Sequence, residues 1–461
     1  MNLWKFIKDH MLQNPKQKIS ENKASLSFED TVIWSEIFAK KLSGINCCAI
    51  LCNSEMATSM ALLACFAAGI TAVPISIRYG EKQCNKILNT IDPDGIIMDI
   101  EGEIAIYKLK DSKYIIPNEH PALIMCTSGT TGTPKGAMLS EHNIITNVSD
   151  IADYFKITTD DTILISRPLY HCAVLTGEFL TALIKGTNIR FYSKEFNPGK
   201  MISLINEYKI TAFCGTPTLI AFMTLFDHKD FTQTLNHICI SGECMHEETG
   251  KKIRKEFPKC NIYHVYGLTE ASPRVSYLSP EHFTDYPDCV GIPLKSVSIK
   301  ILSKNGLPCK ENEEGILYIK GENIMMGYYN EPQKTRKVLK DNWLCTGDIA
   351  LINEAGFLKI KGRNDDLIIK AGMNIYPAEI EDILKQDTRI KEVLIYGVEN
   401  RLFGTQIGMK VVGEFTSIKE IKQLCIKLLP SFQIPTIIEL VDELPKNASG
   451  KIIRGTANDR A

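Results

Sequence analysis

The sequence of 461 residues predicts an α/β fold in which parallel sheets are flanked by helices. Short apolar, β-branched runs alternate with amphipathic windows in two stretches, residues 46–98 and 161–241. The chain is longer than one hydrophobic core usually allows, so we expect a large N-terminal domain and a further one. After about residue 287, short strands separated by glycine-containing turns predict a small antiparallel or β-barrel-like subdomain.

The first stretch shows the alternation most clearly. Asn46–Cys52 is strand-like, Glu55–Ala68 indicates a buried helix that ends at Gly69, and Ile70–Ile75 is strand-like again. This spacing is typical of strand–helix–strand units with parallel strands. The second stretch repeats the theme with Thr162–Ile165, Gly177–Ile184, Asn188–Tyr192, Met201–Tyr208, Ala212–Cys214 and His237–Ile240.

The C-terminal part reads as a compact α+β domain. Helices are predicted over Pro377–Gln386 and Ser417–Leu429, and strands over Ile390–Val398 and Gln406–Val412. The polar segment Gly362–Asp366 separates this part from the preceding apolar runs. We therefore predict an N-terminal domain of residues 1–364 and a small C-terminal domain of residues 365–461.

Composition points to a protein that works on small molecules in the cytoplasm. The net charge of −1 gives no electrostatic footprint for nucleic acid or an anionic membrane. The fifteen cysteines are scattered, with no Cys-x-x-Cys pair, so neither disulfides nor a structural zinc site are expected. The N-terminus lacks an apolar signal segment, and the longest apolar stretch, Met56–Ile75, is interrupted by polar residues and a proline. We expect a soluble protein without a transmembrane segment.

The segment Thr127–Gly136, with the sequence TSGTTGTPKG, is the most informative in the chain. It follows the apolar run Ala122–Met125, which indicates the end of a buried strand. Glycines let backbone N–H groups surround an anion, hydroxyls add donors, and a lysine adds positive charge. It is not a Walker A loop, because Pro134 stands where the second glycine belongs and Gly136 replaces the magnesium-binding hydroxyl residue. The composition is typical of a binding loop for a polyphosphate and also of a flexible surface loop.

This segment resembles, over ten residues, the [ST]SG[ST]TG[ST]PKG motif of the adenylate-forming superfamily, which includes acyl-CoA synthetases, adenylation domains of peptide synthetases and luciferases. Later motifs of that superfamily follow in the expected order, so the resemblance covers essentially the whole chain. It implies a mobile C-terminal domain and the cofactors ATP, Mg²⁺ and CoA or a carrier-protein phosphopantetheine. It also implies that the ATP phosphates bind Thr127, Ser128, Gly129, Thr130, Thr131, Gly132 and Lys135.

The motif Tyr266–Glu270 (YGLTE) is the second strong point of resemblance. An aromatic ring can cover a purine, and a carboxylate is a ligand that Mg²⁺ prefers. The resemblance implies that Tyr266 lies on the adenine, that Thr269 donates to the α-phosphate, and that Glu270 holds Mg²⁺ together with Thr127.

Two further segments are implied to border the nucleotide and the acid. Ser241–Cys244 resembles the turn beside the adenine, which places Gly242 and Glu243 there; Glu243 departs from the small residue that is common in the family. In Pro168–His171, the resemblance places His171 at the border of the acyl pocket.

The remaining motifs lie towards the C-terminus. In Trp343–Asp348 the family uses the aspartate to accept hydrogen bonds from the ribose hydroxyls, which implies this role for Asp348. Arg363 is implied to contact the same ribose, Asp365 to act as the hinge, and Gly372 to lie beside the pantetheine arm. The loop Leu444–Lys451 resembles the one whose last lysine enters the active site, which is Lys451.

The sequence thus predicts an ATP-dependent carboxylic acid–CoA ligase that forms an acyl-adenylate, releases pyrophosphate and transfers the acyl group to the CoA thiol. Two alternatives stay open: an adenylating enzyme that loads an acyl-carrier protein, and a degenerate, non-catalytic nucleotide-binding protein. An amino-acid-activating enzyme is disfavoured because His171 is followed by Cys172 and not by the aspartate of that branch. Small, mostly apolar residues are predicted to line the pocket and to favour an uncharged acyl or aryl tail: Val174, Gly177, Cys214, Gly215, Thr216 and Leu268.

Overall fold

The computed structural model describes most of the chain. The ranges described are residues 2–77, 80–100, 102–109, 114–117, 119–127, 135–194, 197–224, 234–370, 373–400, 404–446 and 452. Among these residues, none of the helices combines the length and the apolar composition that crossing a membrane requires.

The helices and strands within the described ranges are numbered in chain order. The helices are α1 (Leu3–Gln13), α2 (Phe28–Lys41), α3 (Glu55–Ala68), α4 (Gly80–Ile91), α5 (Glu141–Tyr154), α6 (Cys172–Val174), α7 (Thr181–Lys185), α8 (Pro198–Tyr208), α9 (Pro217–Met223), α10 (Glu247–Glu256), α11 (Pro332–Val338), α12 (Pro377–Leu384) and α13 (Ile418–Leu428). The strands are β1 (Lys18–Glu21), β2 (Ala24–Ser27), β3 (Cys47–Leu51), β4 (Thr71–Pro74), β5 (Gly95–Ile100), β6 (Glu103–Lys108), β7 (Leu123–Thr127), β8 (Lys135–Leu139), β9 (Thr162–Ile165), β10 (Asn188–Phe191), β11 (Ala212–Gly215), β12 (His237–Ile240), β13 (Asn261–Gly267), β14 (Arg274–Leu278), β15 (Ile292–Pro293), β16 (Val297–Leu302), β17 (Gly315–Gly321), β18 (Gly327–Tyr328), β19 (Leu339–Lys340), β20 (Trp343–Ile352), β21 (Leu358–Arg363), β22 (Ile368–Lys370), β23 (Met373–Ile375), β24 (Ile390–Asn400), β25 (Gly404–Gly413) and β26 (Ile437–Leu440).

The second predicted stretch, residues 161–241, forms part of a nine-stranded sheet. Its order is β15-β14-β13-β12-β11-β9-β10-β1-β2, and the strands from β13 across to β1 pair in parallel. These strands are nearly continuous apolar runs because helices cover both faces of such a sheet. The predicted strand Thr162–Ile165 is confirmed with the same bounds.

A seven-stranded sheet, in the order β18-β8-β7-β4-β3-β5-β6, carries the first stretch. The predicted helix Glu55–Ala68 is confirmed as α3, and its ends explain why the bounds could be predicted. The Ser54 side chain accepts a hydrogen bond from the Ala57 N–H, which caps the first turn. Gly69 ends the helix in the left-handed conformation, with φ +68°.

The apolar window Gly177–Ile184 belongs to a longer helical segment than the sequence indicated. It begins with α6, passes through a π-helical stretch over Leu175–Leu180 and continues as α7. Thr176 Oγ1 lies 2.8 Å from the Cys172 carbonyl oxygen and 2.9 Å from the Ser272 carbonyl oxygen, so its one O–H group can donate to either, and it holds the wide turn against a loop distant in sequence. Such π-helical turns are frequent at functional sites.

The later part of the chain contains smaller sheets. One has the order β16-β17-β20-β19, with β21 paired to β20; another consists of β22 and β23; and a third has the order β24-β25-β26. The helices α12 and α13 and the strands β24 and β25 contribute to one apolar core, which includes Ile380, Val393, Ile407, Met409 and Ile421. The predicted fold class, a mixed α/β chain with parallel sheets and a smaller α+β part, is confirmed.

The chain divides into two compact units. The first contains residues 1–300, 318–346 and 356–358, and the second contains residues 301–317, 347–355 and 359–461. The domain boundary between residues 364 and 365 stays a prediction.

Candidate active site

Four parallel strands of the nine-stranded sheet end at the same edge. Arg167 follows β9, Thr216 follows β11, Gly242 follows β12, and Gly267 is the last residue of β13. In α/β sheets ligands bind outside the carboxyl ends of parallel strands. The two segments that are predicted to border the adenine, one after β12 and one at the end of β13, therefore lie at the edge where a ligand is expected.

The turn after β12 requires a glycine. Gly242 has φ +94°, a conformation that favours glycine. A Cβ at this position would lie 3.7 Å from Thr216 Cγ2 and 3.9 Å from Arg167 Nη1, so a small space opens between the three residues. The exposed Glu243 accepts a hydrogen bond of 2.7 Å from the Thr218 hydroxyl.

A tight turn fixes the segment that carries Thr269 and Glu270. A Cβ on Gly267 would lie 2.1 Å from the Pro273 carbonyl oxygen, so only glycine allows this close approach of backbones. Thr269–Ala271 forms a 3₁₀ turn, and the Glu270 carbonyl accepts a hydrogen bond of 2.9 Å from the Met325 N–H. The carboxylate of Glu270 is thus held on a rigid support next to the end of β13, which contains Tyr266.

Tyr328 connects this carboxylate to Lys135, at the end of the loop that is predicted to bind the phosphates. Its hydroxyl donates to Glu270 Oε1 over 2.7 Å, and Lys135 Nζ lies 5.4 Å from the centroid of its ring. Sequence analysis did not identify Tyr328, because it lies in a separate segment, in β18, and carries no motif of its own. The tyrosine orients the carboxylate and also attracts the lysine through a cation–π contact.

The loop between β7 and β8 joins two antiparallel strands. Thr127 and Lys135 are direct partners in that ladder, so the backbone closes at the base of the loop. The Thr127 side chain lies outside the described residues, as do Ser128, Gly129, Thr130, Thr131 and Gly132. Their roles stay predictions.

The residues present suit a magnesium ion shared with a nucleotide. Within the described ranges, no three His, Cys, Asp or Glu side chains gather in a group that could hold a metal ion by themselves. Mg²⁺ usually keeps water ligands and binds one or two carboxylates together with substrate phosphates. Glu270 fits this pattern as the protein's carboxylate.

Replacing Tyr328 with Phe should weaken magnesium binding without unfolding the protein. The ring keeps its place under Lys135, but the donor to Glu270 is lost, and hydrogen bonds to charged groups contribute about 1.5–3 kcal/mol. We expect roughly a tenfold increase in the Mg²⁺ concentration for half-maximal activity. Tyr329→Phe is the matched control, because the Tyr329 hydroxyl contacts the backbone of Ile115. A shift of equal size in both variants would contradict the role of Tyr328.

The segment that contains His171 packs against the turn of Thr269. The Cys172 sulfur lies 4.0 Å from the Thr269 carbonyl oxygen, and the rings of Tyr170 and His171 are 4.2 Å apart. Burial raises the pKa of the Cys172 thiol to about 12, so it is not a nucleophile near neutral pH. The fifteen cysteines are free thiols that are buried or only partly exposed.

The two predicted ribose-binding residues lie together in the second unit. Arg363 Nη1 is 3.3 Å from Asp348 Oδ1, with the aspartate side chain only 10% exposed. Gly347 has φ +74°, and a Cβ there would lie 3.2 Å from Arg363 Nη2, so the glycine lets the guanidinium approach. The Asp365 side chain and Gly372 lie outside the described residues.

A β-bridge joins the two ends of the loop that contains the predicted catalytic lysine. Lys446 and Ile452 form an isolated antiparallel bridge, and the Lys446 ammonium forms an ion pair with Glu392. Lys451 itself lies outside the described residues. The structure therefore gives Lys446 a partner of its own and leaves the role of Lys451 as a prediction.

Comparison with known proteins identifies the family. A family model described as AMP-binding enzyme matches residues 21–329, and one described as AMP-binding enzyme C-terminal domain matches residues 379–451. The chain is 32% identical over 354 residues to a long-chain-fatty-acid–CoA ligase of Haemophilus influenzae, covering 75% of this chain and 62% of that protein. It is 35% identical over 373 residues to the mitochondrial medium-chain acyl-CoA ligase ACSF2 of Mus musculus, covering 78% and 60%. The chain thus spans about three fifths of the length of these relatives.

Solved structures show the same fold. The o-succinylbenzoate-CoA synthetase of Bacillus subtilis in complex with AMP matches with a TM-score of 0.86 and 25% identity, over 98% of each chain. The same enzyme with ATP and a magnesium ion matches with a TM-score of 0.85 and 25% identity, over 97% of this chain and 98% of that one. With both domain models matched in order and the fold shared over nearly its whole length, the chain belongs to the family of AMP-binding, adenylate-forming enzymes.

Proposed function

We propose that the chain is an ATP-dependent carboxylic acid–CoA ligase. The observation that carries this proposal is the arrangement of Lys135, Tyr328 and Glu270 at the end of the phosphate loop, which provides a cation and an oriented carboxylate for a magnesium nucleotide. The names of the curated relatives support an acyl acid as substrate and CoA as acceptor.

In the first half-reaction, a carboxylate oxygen of the acid attacks the α-phosphorus of ATP. A new oxygen–phosphorus bond forms, the bond to the leaving oxygen breaks, and pyrophosphate departs with its electrons. Two anions must approach each other, so positioning and charge neutralisation are the main tasks of the protein. Lys135 and Lys451 supply positive charge, and Thr269 supplies a donor. Magnesium held by Glu270 would neutralise phosphate charge.

In the second half-reaction, a thiol attacks the acyl carbon, AMP leaves, and the thiol proton passes to solvent. Burial raises the pKa of Cys172 and of Cys126 to about 12, so neither of these thiols is a nucleophile near neutral pH. CoA is the first candidate for the acceptor. Gly372 is proposed to line the path of the pantetheine arm, and Asp365 to act as the hinge between the two half-reactions.

The acceptor can be identified by supplying ATP, Mg²⁺ and a panel of fatty, aromatic and dicarboxylic acids with either free CoA or phosphopantetheinylated carrier proteins. We expect AMP and an acyl-CoA thioester with free CoA. A thioester formed only on a carrier protein would replace this proposal with the carrier-loading alternative. AMP binding without turnover of any acid would favour the non-catalytic alternative.

A further inference from the structure

Three charged side chains form a buried cluster beside the candidate site. Arg167 Nη2 donates to Glu178 Oε1 over 2.5 Å, and the glutamate side chain is only 1% exposed. Arg274 is 2% exposed, and its Nη2 would lie 2.9 Å from a Cβ at position 177, so its guanidinium fills the space that Gly177 leaves. Arg167, Glu178 and Arg274 are called the arginine cluster below.

The arginine cluster carries an excess of positive charge. Both guanidinium groups stay protonated at any physiological pH, and Glu178 neutralises at most one of them. Arg167 Nε, Glu178 Oε2 and Arg274 Nε are buried without hydrogen-bond partners among the described residues. A buried charge without a partner is unfavourable, so a further anion close to the cluster would stabilise it.

Arg167 is the member of the cluster through which a ligand can approach. Its side chain is 17% exposed, and it follows β9 at the edge of the sheet where the other ligand-side residues lie. Nη2 is 3.4 Å from the Ser241 hydroxyl, and Nη1 faces the space beside Gly242 and Thr216. Within the described part of the chain, Nη1 makes no hydrogen bond.

We infer that the acid which this site activates carries a second carboxylate, and that Arg167 Nη1 binds this group in the space beside Gly242 and Thr216. The second carboxylate supplies the anion that the arginine cluster lacks, and the Ser241 hydroxyl, 3.4 Å from Arg167 Nη2, is available as a further donor. This inference rests on the proposed function. It replaces the prediction of a substrate with an uncharged tail, which was based on the small, apolar wall residues alone.

The test compares dicarboxylic acids with monocarboxylic acids of equal carbon number in acid-dependent exchange of labelled pyrophosphate into ATP. The series runs from succinic to sebacic acid, with the benzenedicarboxylic acids against the toluic acids. For the best diacid we expect kcat/KM roughly 10- to 100-fold above that of its matched monoacid, because a charge-assisted contact at a partly buried site contributes this much.

Arg167→Met should raise KM for the diacid by much more than KM for its matched monoacid and so remove the preference, since the contact binds ground and transition states alike. Because Arg167→Met removes the hydrogen-bond partner of Glu178, the double variant Arg167→Met/Glu178→Met, which keeps the wild-type net charge of the cluster through Arg274, provides a second check, with thermal unfolding as the measure of folding. Arg167→Lys should keep part of the preference. Arg190→Met is the control, since Arg190 contacts the Asn22 carbonyl and the Tyr208 ring away from the cluster.

Each outcome decides between the two claims. A diacid preference that disappears in both Arg167→Met variants supports the inference. Equal or better activity with monoacids, or a diacid preference that survives these variants, overturns it and leaves the ligase assignment intact. If no acid in the series promotes exchange, both the ligase assignment and the inference are overturned.

Discussion

Replacement of Glu270 by Gln is expected to lower the rate of adenylate formation by roughly 10²–10³, equivalent to about 3–4 kcal/mol in the barrier. Glutamine has the same shape, and its Oε1 can still accept the hydrogen bond from Tyr328, which is 2.7 Å long in the wild type. The backbone contact between the Glu270 carbonyl and Met325 is also retained. What disappears is the negative charge that attracts a divalent cation, so the loss should diminish as Mg²⁺ is raised.

The measurement is pyrophosphate exchange over a titration of Mg²⁺, with thermal unfolding as the check on folding. Glu281→Gln is the matched control, because Glu281 is exposed and its partner is the Ser279 hydroxyl. We expect this control to behave as the wild type. A Glu270→Gln variant with an unchanged rate at every Mg²⁺ concentration would show that the carboxylate does not serve the metal.

Replacement of Lys451 by Ala is expected to separate the two half-reactions. Adenylate formation should fall by roughly 10²–10³, because a preorganised cation no longer meets the charge that develops between acid and phosphate. Conversion of a supplied acyl-adenylate to thioester should continue, because this cation is assigned to the first step alone. Single-turnover assays of each half-reaction measure the two rates independently.

Lys446→Ala is the matched control in the same loop. Lys446 pairs with Glu392, and both side chains are partly exposed, so their ion pair contributes only about 0–1 kcal/mol to stability. Both half-reactions should therefore keep their wild-type rates in this variant. Equal losses of the two half-reactions in Lys451→Ala would refute the assignment of Lys451.

Much of the fold could be predicted because its signals are local. The helix Glu55–Ala68 has a serine before its first turn and a glycine after its last, and both ends agree with the structure. Strands such as Thr162–Ile165 are short apolar runs between polar residues, and this pattern is visible without any tertiary information. The π-helical stretch Leu175–Leu180 was not predicted, because its wide turn depends on a contact between Thr176 and the distant Ser272.

The candidate site likewise has a part that could be predicted from local sequence and a part that could not. The motifs that contain Gly242, Glu270 and Asp348 are contiguous, so their positions could be predicted from the sequence. The contact between Tyr328 and Glu270 joins residues 58 positions apart, and no local pattern announces it.

The arginine cluster could have been suspected from one signal. Glu178 is the only charged residue in the apolar segment from Cys172 to Ile184, and a buried carboxylate needs a cationic partner. The identity of the arginines that provide the charge depends on the packing of β9 and β14. This packing could not be predicted from the sequence.

The most direct test of the central claim is exchange of labelled pyrophosphate into ATP, measured with purified protein and Mg²⁺ in the presence and absence of each acid. If the site joins AMP to a carboxylate, at least one acid will promote exchange, and omission of that acid will abolish it. If no acid in a broad panel promotes exchange, the account is contradicted. A shared fold and family would then be all that this chain has in common with acid-activating enzymes.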